Sequence, residues 1–255
     1  LLRRLKTLYE ELQSTEQGEA HRLTIVPKAQ ELANVQLLGH KDKGVKAWTL
    51  LCIVEMFRLL APDAPYKGGQ LKQIFELFVS TVIPALASPS DPYSQQYLLI
   101  LTSLTTVKSI ILLTDIPGSD SLILNLFTNC FDVMSGTVKG SHGEQLGKNV
   151  EFHMTTMLAT LVEECQELPT GVVDIILAQF LRADPQTLSM GSKKAGVQPD
   201  SFMFREVPPA YNMARSVCNT SADKMSRVIG HYFSSVLIDA SETFSEVKTT
   251  NKSTR

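Results

Sequence analysis

Apolar residues recur three and four positions apart in one segment after another of this chain, and no comparable run alternates with the period of two that a half-exposed strand needs. Val150, Met154, Met157, Leu158, Leu161, Val162 and Cys165 form one such stripe. Ile123, Phe127, Cys130, Phe131 and Met134 form a second, and Met225, Val228, Ile229, Tyr232, Phe233, Val236 and Leu237 a third. A fourth contains Val45, Trp48, Cys52, Met56, Leu59 and Leu60, so Trp48, Phe127 and Phe233 are all read as core aromatics. The segments beginning near Leu71, Tyr97 and Val173 follow the same rule. The expected fold class is therefore all-α.

About ten helices fit into about 240 residues, which makes about five antiparallel pairs of the length of HEAT-like repeats. A pair this short cannot bury its apolar face alone, and stacking pair on pair solves the problem in a solenoid with a long exposed surface. A closed helical bundle would satisfy the same stripes. Residues 1–240 are expected to be the solenoid segment of a longer protein, and the polar end, 241–255, a tail or linker. Hydrophobic residues at 44% are too many for a disordered chain, and charged residues at 20% too many for one living in lipid. No stretch reaches the roughly 18 uninterrupted apolar residues of a membrane span. The net charge of −2 lacks the basic balance of a domain devoted to nucleic acid, although a local basic face stays open.

Local chemistry marks the helix starts. Asp91 is expected to cap a helix with Pro92 at its first position, where a missing N–H costs nothing. Asp42, Ser119, Thr170 and Ser221 are similar candidates, and Pro84 is expected to kink or end the helix that starts near Gln70. The stretch from Asp184 to Asp200 has weak periodicity and reads as a loop.

Catalytic patterns are missing. His21, His40, His142, His153 and His231 show no HExxH spacing, and Glu163 and Glu164, being adjacent, diverge around their helix instead of converging on one atom. There is no GxSxG elbow, and Gly68-Gly69 lacks the spacing of a phosphate-binding loop. Cys52, Cys130, Cys165 and Cys218 lie far apart on apolar stripes, and are read as buried thiols in a reducing, intracellular compartment. The reading is a scaffold that recognises proteins, with no catalytic residues, metal or cofactor.

The stretch HKDKGVKAWTLLCIVEMFRLLAPDAPY, from His40 to Tyr66, carries the most information. Asp42 followed by Val45, Lys46 and Ala47 has the form of a HEAT-repeat turn and second-helix start. The helix then stops at Ala61, Pro62, Asp63, Ala64, Pro65 and Tyr66, because each proline biases its predecessor away from helix and lacks a backbone donor. By itself such a loop is an inter-repeat connector. It also holds a carboxylate and a phenol on a stiff path, where they can meet a partner at little entropic cost. On this reading Asp63 accepts a hydrogen bond from a partner's basic side chain while Tyr66 offers a ring face and a hydroxyl beside it.

This APDAPY segment, the preceding IVEMFRLL and the following LKQIFELF resemble the N-terminal region of the precocious-dissociation-of-sisters family of cohesion regulators. Weaker similarity runs from Leu5-Lys6-Thr7 through YLLILTSLTTVKS to VCNTSADKMSRVIGHYFSSVL, with polar insertions around Ser135 to Gly147 and Asp184 to Asp200 that the animal members lack. The resemblance implies a nuclear, chromosome-associated HEAT-repeat subunit that binds the cohesin complex and regulates its residence on chromatin. It implies that Ala61 through Tyr66 dock short motifs of the release factor Wapl and support the cohesin acetyltransferase. It also places the kleisin-binding surface further along the full protein. The competing reading is an unrelated helical-repeat adaptor, such as a transport or phosphatase scaffold.

Overall fold

The computed structural model describes residues 1–138, 147–182 and 208–250. Much of both polar insertions, and the last five residues of the expected tail, fall outside the described residues. Within them there is no strand, and the helices are α1 (Leu2–Ser14), α2 (Glu19–Leu32), α3 (Val35–Leu38), α4 (Lys43–Leu60), α5 (Gly68–Leu77) and α6 (Ile83–Ala85). They continue as α7 (Ser94–Thr106), α8 (Asp120–Ser135), α9 (Lys148–Glu164), α10 (Thr170–Arg182), α11 (Pro209–Thr220) and α12 (Ala222–Thr250).

Successive pairs stack as the apolar stripes require. One row is built by α1 on α4, α4 on α7, α7 on α9 and α9 on α11, and a second by the α5–α6 run on α8 and α8 on α10. A single core runs between the rows, with Phe75, Phe78, Phe127 and Phe131 fully enclosed. The all-α repeat architecture is thus as expected, and the expected caps are met unevenly. Asp42 accepts a hydrogen bond from the Val45 amide at 2.9 Å and so starts α4. Gly44, in the first turn, has no room for a β-carbon, which would run into the Tyr93 ring.

Asp91 does not cap a helix beginning at Pro92. Its carboxylate takes the Tyr93 amide at 2.8 Å, closing an Asx turn, and α7 begins only at Ser94. Ser221 spends its hydroxyl on the Ala159 carbonyl of α9 (3.3 Å), tying two repeats together instead of capping α12. Pro84 stands where its helix becomes irregular and ends, as expected: a π-helical turn, Phe78–Val82, separates α5 from α6 just ahead of it, and α6 stops at Ala85. Its missing N–H and its ring break the regular hydrogen-bond pattern of a run that continues only one residue further.

Phe127 is fully buried, and Trp48 is half-buried, its ring edge-to-face with Tyr9 at 5.6 Å and under the Lys6 ammonium at 5.3 Å. Phe233 corrects the sequence reading, because it is 49% exposed. The third stripe is buried at Met225 and half-buried at Val228 and Ile229, but by Phe233 and Val236 it has run past the last described helix that could cover it. Periodicity reports an apolar face and cannot say where its cover stops. Cys52, Cys130 and Cys165 are buried, and Cys218 is half-buried. Burial, with Glu55 nearby, pushes the Cys52 thiol up to about 12, which leaves it a neutral packing group.

Candidate partner-docking site

The last turn of α4 leaves carbonyl groups without partners, and the prolines that follow cannot supply amides to satisfy them. Two side chains from the beginning of the chain do so. Gln17 donates through Nε2 to the carbonyls of Arg58 (3.0 Å) and Ala61 (3.1 Å). Arg22, from the first turn of α2, donates through Nη2 to the Leu60 carbonyl at 2.7 Å and, more weakly, to that of Ala61 at 3.4 Å. Its other terminal nitrogen, Nη1, reaches Asp63 Oδ2 at 3.1 Å. A planar guanidinium can serve these acceptors at once, which a lysine ammonium on a flexible stem cannot reproduce. Its charge also lies at the negative end of α4.

A second arginine anchors the same corner from below. Arg58 Nε bonds Glu55 Oε2 at 2.6 Å, and its Nη2 donates to the carbonyls of Leu12 (2.9 Å) and Thr15 (3.2 Å), closing the end of α1. Glu55 is buried, so the pair is partly removed from water. The double-proline loop therefore rests on a hydrogen-bonded frame drawn from α1, the α1–α2 connection, α2 and α4. Within the loop, the Asp63 amide donates to the Leu60 carbonyl at 3.0 Å.

The structure separates the two groups expected to act together. The Asp63 side chain is 77% exposed, and its Oδ1 makes no hydrogen bond among the described residues. Pro62 is exposed as well, and Ala61, Ala64 and Pro65 are half-buried. Tyr66 instead turns inward: it is 7% exposed, edge-to-face with Phe57 at 5.5 Å, and its hydroxyl is buried without a hydrogen-bond partner. Burial pushes its phenol well above the usual range. The expectation that Tyr66 presents a ring face and hydroxyl is corrected, because the Phe57 and Phe75 side chains leave an apolar seat that a tyrosine ring fills.

Arg22 and Gln17 were invisible to sequence reasoning, because they lie some 40 residues before the carbonyls they cap. One faint signal existed. A cation in the first turn of a helix opposes that helix's dipole, so Arg22 costs α2 a little and its charge has a use elsewhere.

What the fold and this site define is a HEAT-type helical-repeat scaffold with a framed, exposed loop at a repeat junction. The chain belongs to the PDS5 family: the family model described as "Sister chromatid cohesion protein PDS5 protein" matches residues 1–255. It is 35% identical over 251 residues to the sister chromatid cohesion protein pds5 of Schizosaccharomyces pombe, covering 98% of this chain and 19% of that protein. The corresponding protein of Saccharomyces cerevisiae is 30% identical over 240 residues, covering 94% of this chain and 17% of its own length. A solved chain from work on the "Structure of the Pds5-Scc1 complex and implications for cohesin function" shares the fold at a TM-score of 0.75 and 30% identity, over 94% of this chain and 33% of that one. The chain thus spans about a fifth of the length of these curated relatives. Membership of this family removes the transport-receptor and phosphatase-scaffold alternatives.

Proposed function

We propose that this segment belongs to a cohesin-associated regulator of sister chromatid cohesion, acting in the nucleus on chromosomes, and that Ala61 through Tyr66 dock short motifs of Wapl and of the cohesin acetyltransferase. The exposed Asp63 carboxylate, held on a loop whose backbone is fixed by Arg22 and Gln17, is the observation that carries this reading. A loop already ordered loses little entropy when a partner binds. Asp63 can keep Oδ2 on Arg22 and offer Oδ1 to a basic side chain of the motif. Tyr66 serves from below, as the packed floor of the loop, and Pro62 supplies an exposed apolar surface beside the carboxylate. The similar solved chain comes from a Pds5–Scc1 complex studied for cohesin function, which supports cohesin subunits as further partners.

Calorimetric titration with a Wapl-derived motif peptide tests the docking role. Asp63→Lys should weaken binding by about 1.5 to 3 kcal/mol, the worth of a charge-assisted hydrogen bond. Since the ion pair with Arg22 is exposed, the thermal midpoint should hardly move. Tyr66→Phe removes only a buried, unpaired hydroxyl, so affinity and stability should both be retained. Unchanged affinity in Asp63→Lys leaves the loop as a connector.

A further inference from the structure

A second exposed surface lies well away in the chain from the double-proline loop. A groove of about 730 Å³ runs along α9, with α11 as its other wall and Lys108, from the turn after α7, also lining it. Its floor is less polar than its sequence: Thr155, Thr156 and Thr160 each donate their hydroxyl to a carbonyl four residues back, at 2.7, 2.8 and 2.8 Å. Their donors are thereby spent inside the helix. Phe152 rises from this floor, 63% exposed.

The charges are sorted. Lys148 stands at the end where α9 begins, and Glu163 and Glu164 at the end where it finishes, while Lys108 also lines the groove. None of the four forms an ion pair among the described residues, and Glu151, one turn after Lys148, does not pair with it either. Lys148, Glu163 and Glu164 oppose α9 itself, because a cation at a helix start and anions in its last turn are on the unfavourable ends of the dipole, and only Glu151, in the first turn, is on its favourable end. Lys108 adds a backbone cost: its φ of 56° is the only positive value at a non-glycine residue among those described, at a helix end where glycine fits more easily. Three local costs thus converge on one groove.

We infer that this groove is a docking surface for an amphipathic helix of a partner protein, acidic at the end that meets Lys148, basic at the end that meets Glu163 and Glu164, and apolar against Phe152 between them. From Lys148 to Glu164, α9 spans about 24 Å, the length of about four helical turns. A helix charged in this way has its acids at its own N-terminus and its bases at its C-terminus, the stable arrangement, and so lies parallel to α9. The inference is independent of the double-proline loop.

The test is fluorescence anisotropy at low salt with the full 255-residue chain and two synthetic probes. One probe is a four-turn amphipathic helix with glutamates in its first turn and lysines in its last; the other has the two end charges exchanged. The first should bind at least about tenfold more tightly. The Lys148→Glu/Glu164→Lys variant should abolish that preference. Phe152→Ala should weaken the first probe by about tenfold while leaving the circular dichroism melt unchanged, since an exposed ring contributes little to folding. Equal affinities, absent binding, or a preference that survives the charge exchange overturns the inference. So does self-association of the chain that disappears in Phe152→Ala, because the occupant is then a second copy.

Discussion

Phe127→Ala should lower the unfolding free energy by about 3 to 5 kcal/mol, the cost of emptying a packed aromatic site. The residue is fully enclosed on α8, which packs against the α5–α6 run, α10 and α11, so the cavity opens where both rows of helices meet. Chain segments in a stacked repeat share their core only with neighbours, and little elsewhere can close the gap. In a chain of this length the thermal midpoint should fall by at least about 6 °C. Circular dichroism melts measure the loss. A cost below about 1 kcal/mol would mean that α8 does not pack as described.

The second large effect is expected at the corner beneath the double-proline loop. Arg58→Met preserves most of the apolar stem but removes the guanidinium from Glu55 Oε2 and from the carbonyls of Leu12 and Thr15. A buried carboxylate is then left without its cation, which costs about 3 kcal/mol. Replacing both partners, Glu55→Leu with Arg58→Met, should recover a good part of that loss, because an apolar pair needs no compensation. Chemical denaturation of the two single variants, the double variant and the parent gives the coupling directly. Additive losses would show that the two side chains do not act as a pair. The Asp63 loop rests on this corner, so Arg58→Met should also weaken motif binding, through a loosened loop and not through a lost contact.

The repeat architecture was legible in the sequence because helical periodicity and short spacing leave few other ways to bury the stripes. Phe127 and Trp48 followed from their stripes, and Asp42 from capping chemistry. Phe233 did not, since its stripe continues past the helices that cover its beginning. At the double-proline loop, two prolines marked the helix end and the stiff path, and the exposed carboxylate followed from them. The orientation of Tyr66 depended on whether Phe57 and Phe75 leave a seat for its ring, which is a matter of three-dimensional packing. The frame supplied by Gln17 and Arg22 depended on contacts between residues about 40 positions apart, beyond the reach of any local pattern. Local rules located the loop, and long-range hydrogen bonds and packing decide which of its side chains are exposed.

Engagement of partners at the double-proline loop is open to a single measurement. Hydrogen–deuterium exchange of the chain with and without the Wapl-derived motif peptide tests it most directly, because protection is read along the whole sequence at once. The amides from Phe57 to Tyr66, together with those around Arg22, should exchange more slowly when the peptide is bound. Protection confined to other segments, or a saturating peptide that leaves this loop unprotected, would place the binding surface elsewhere.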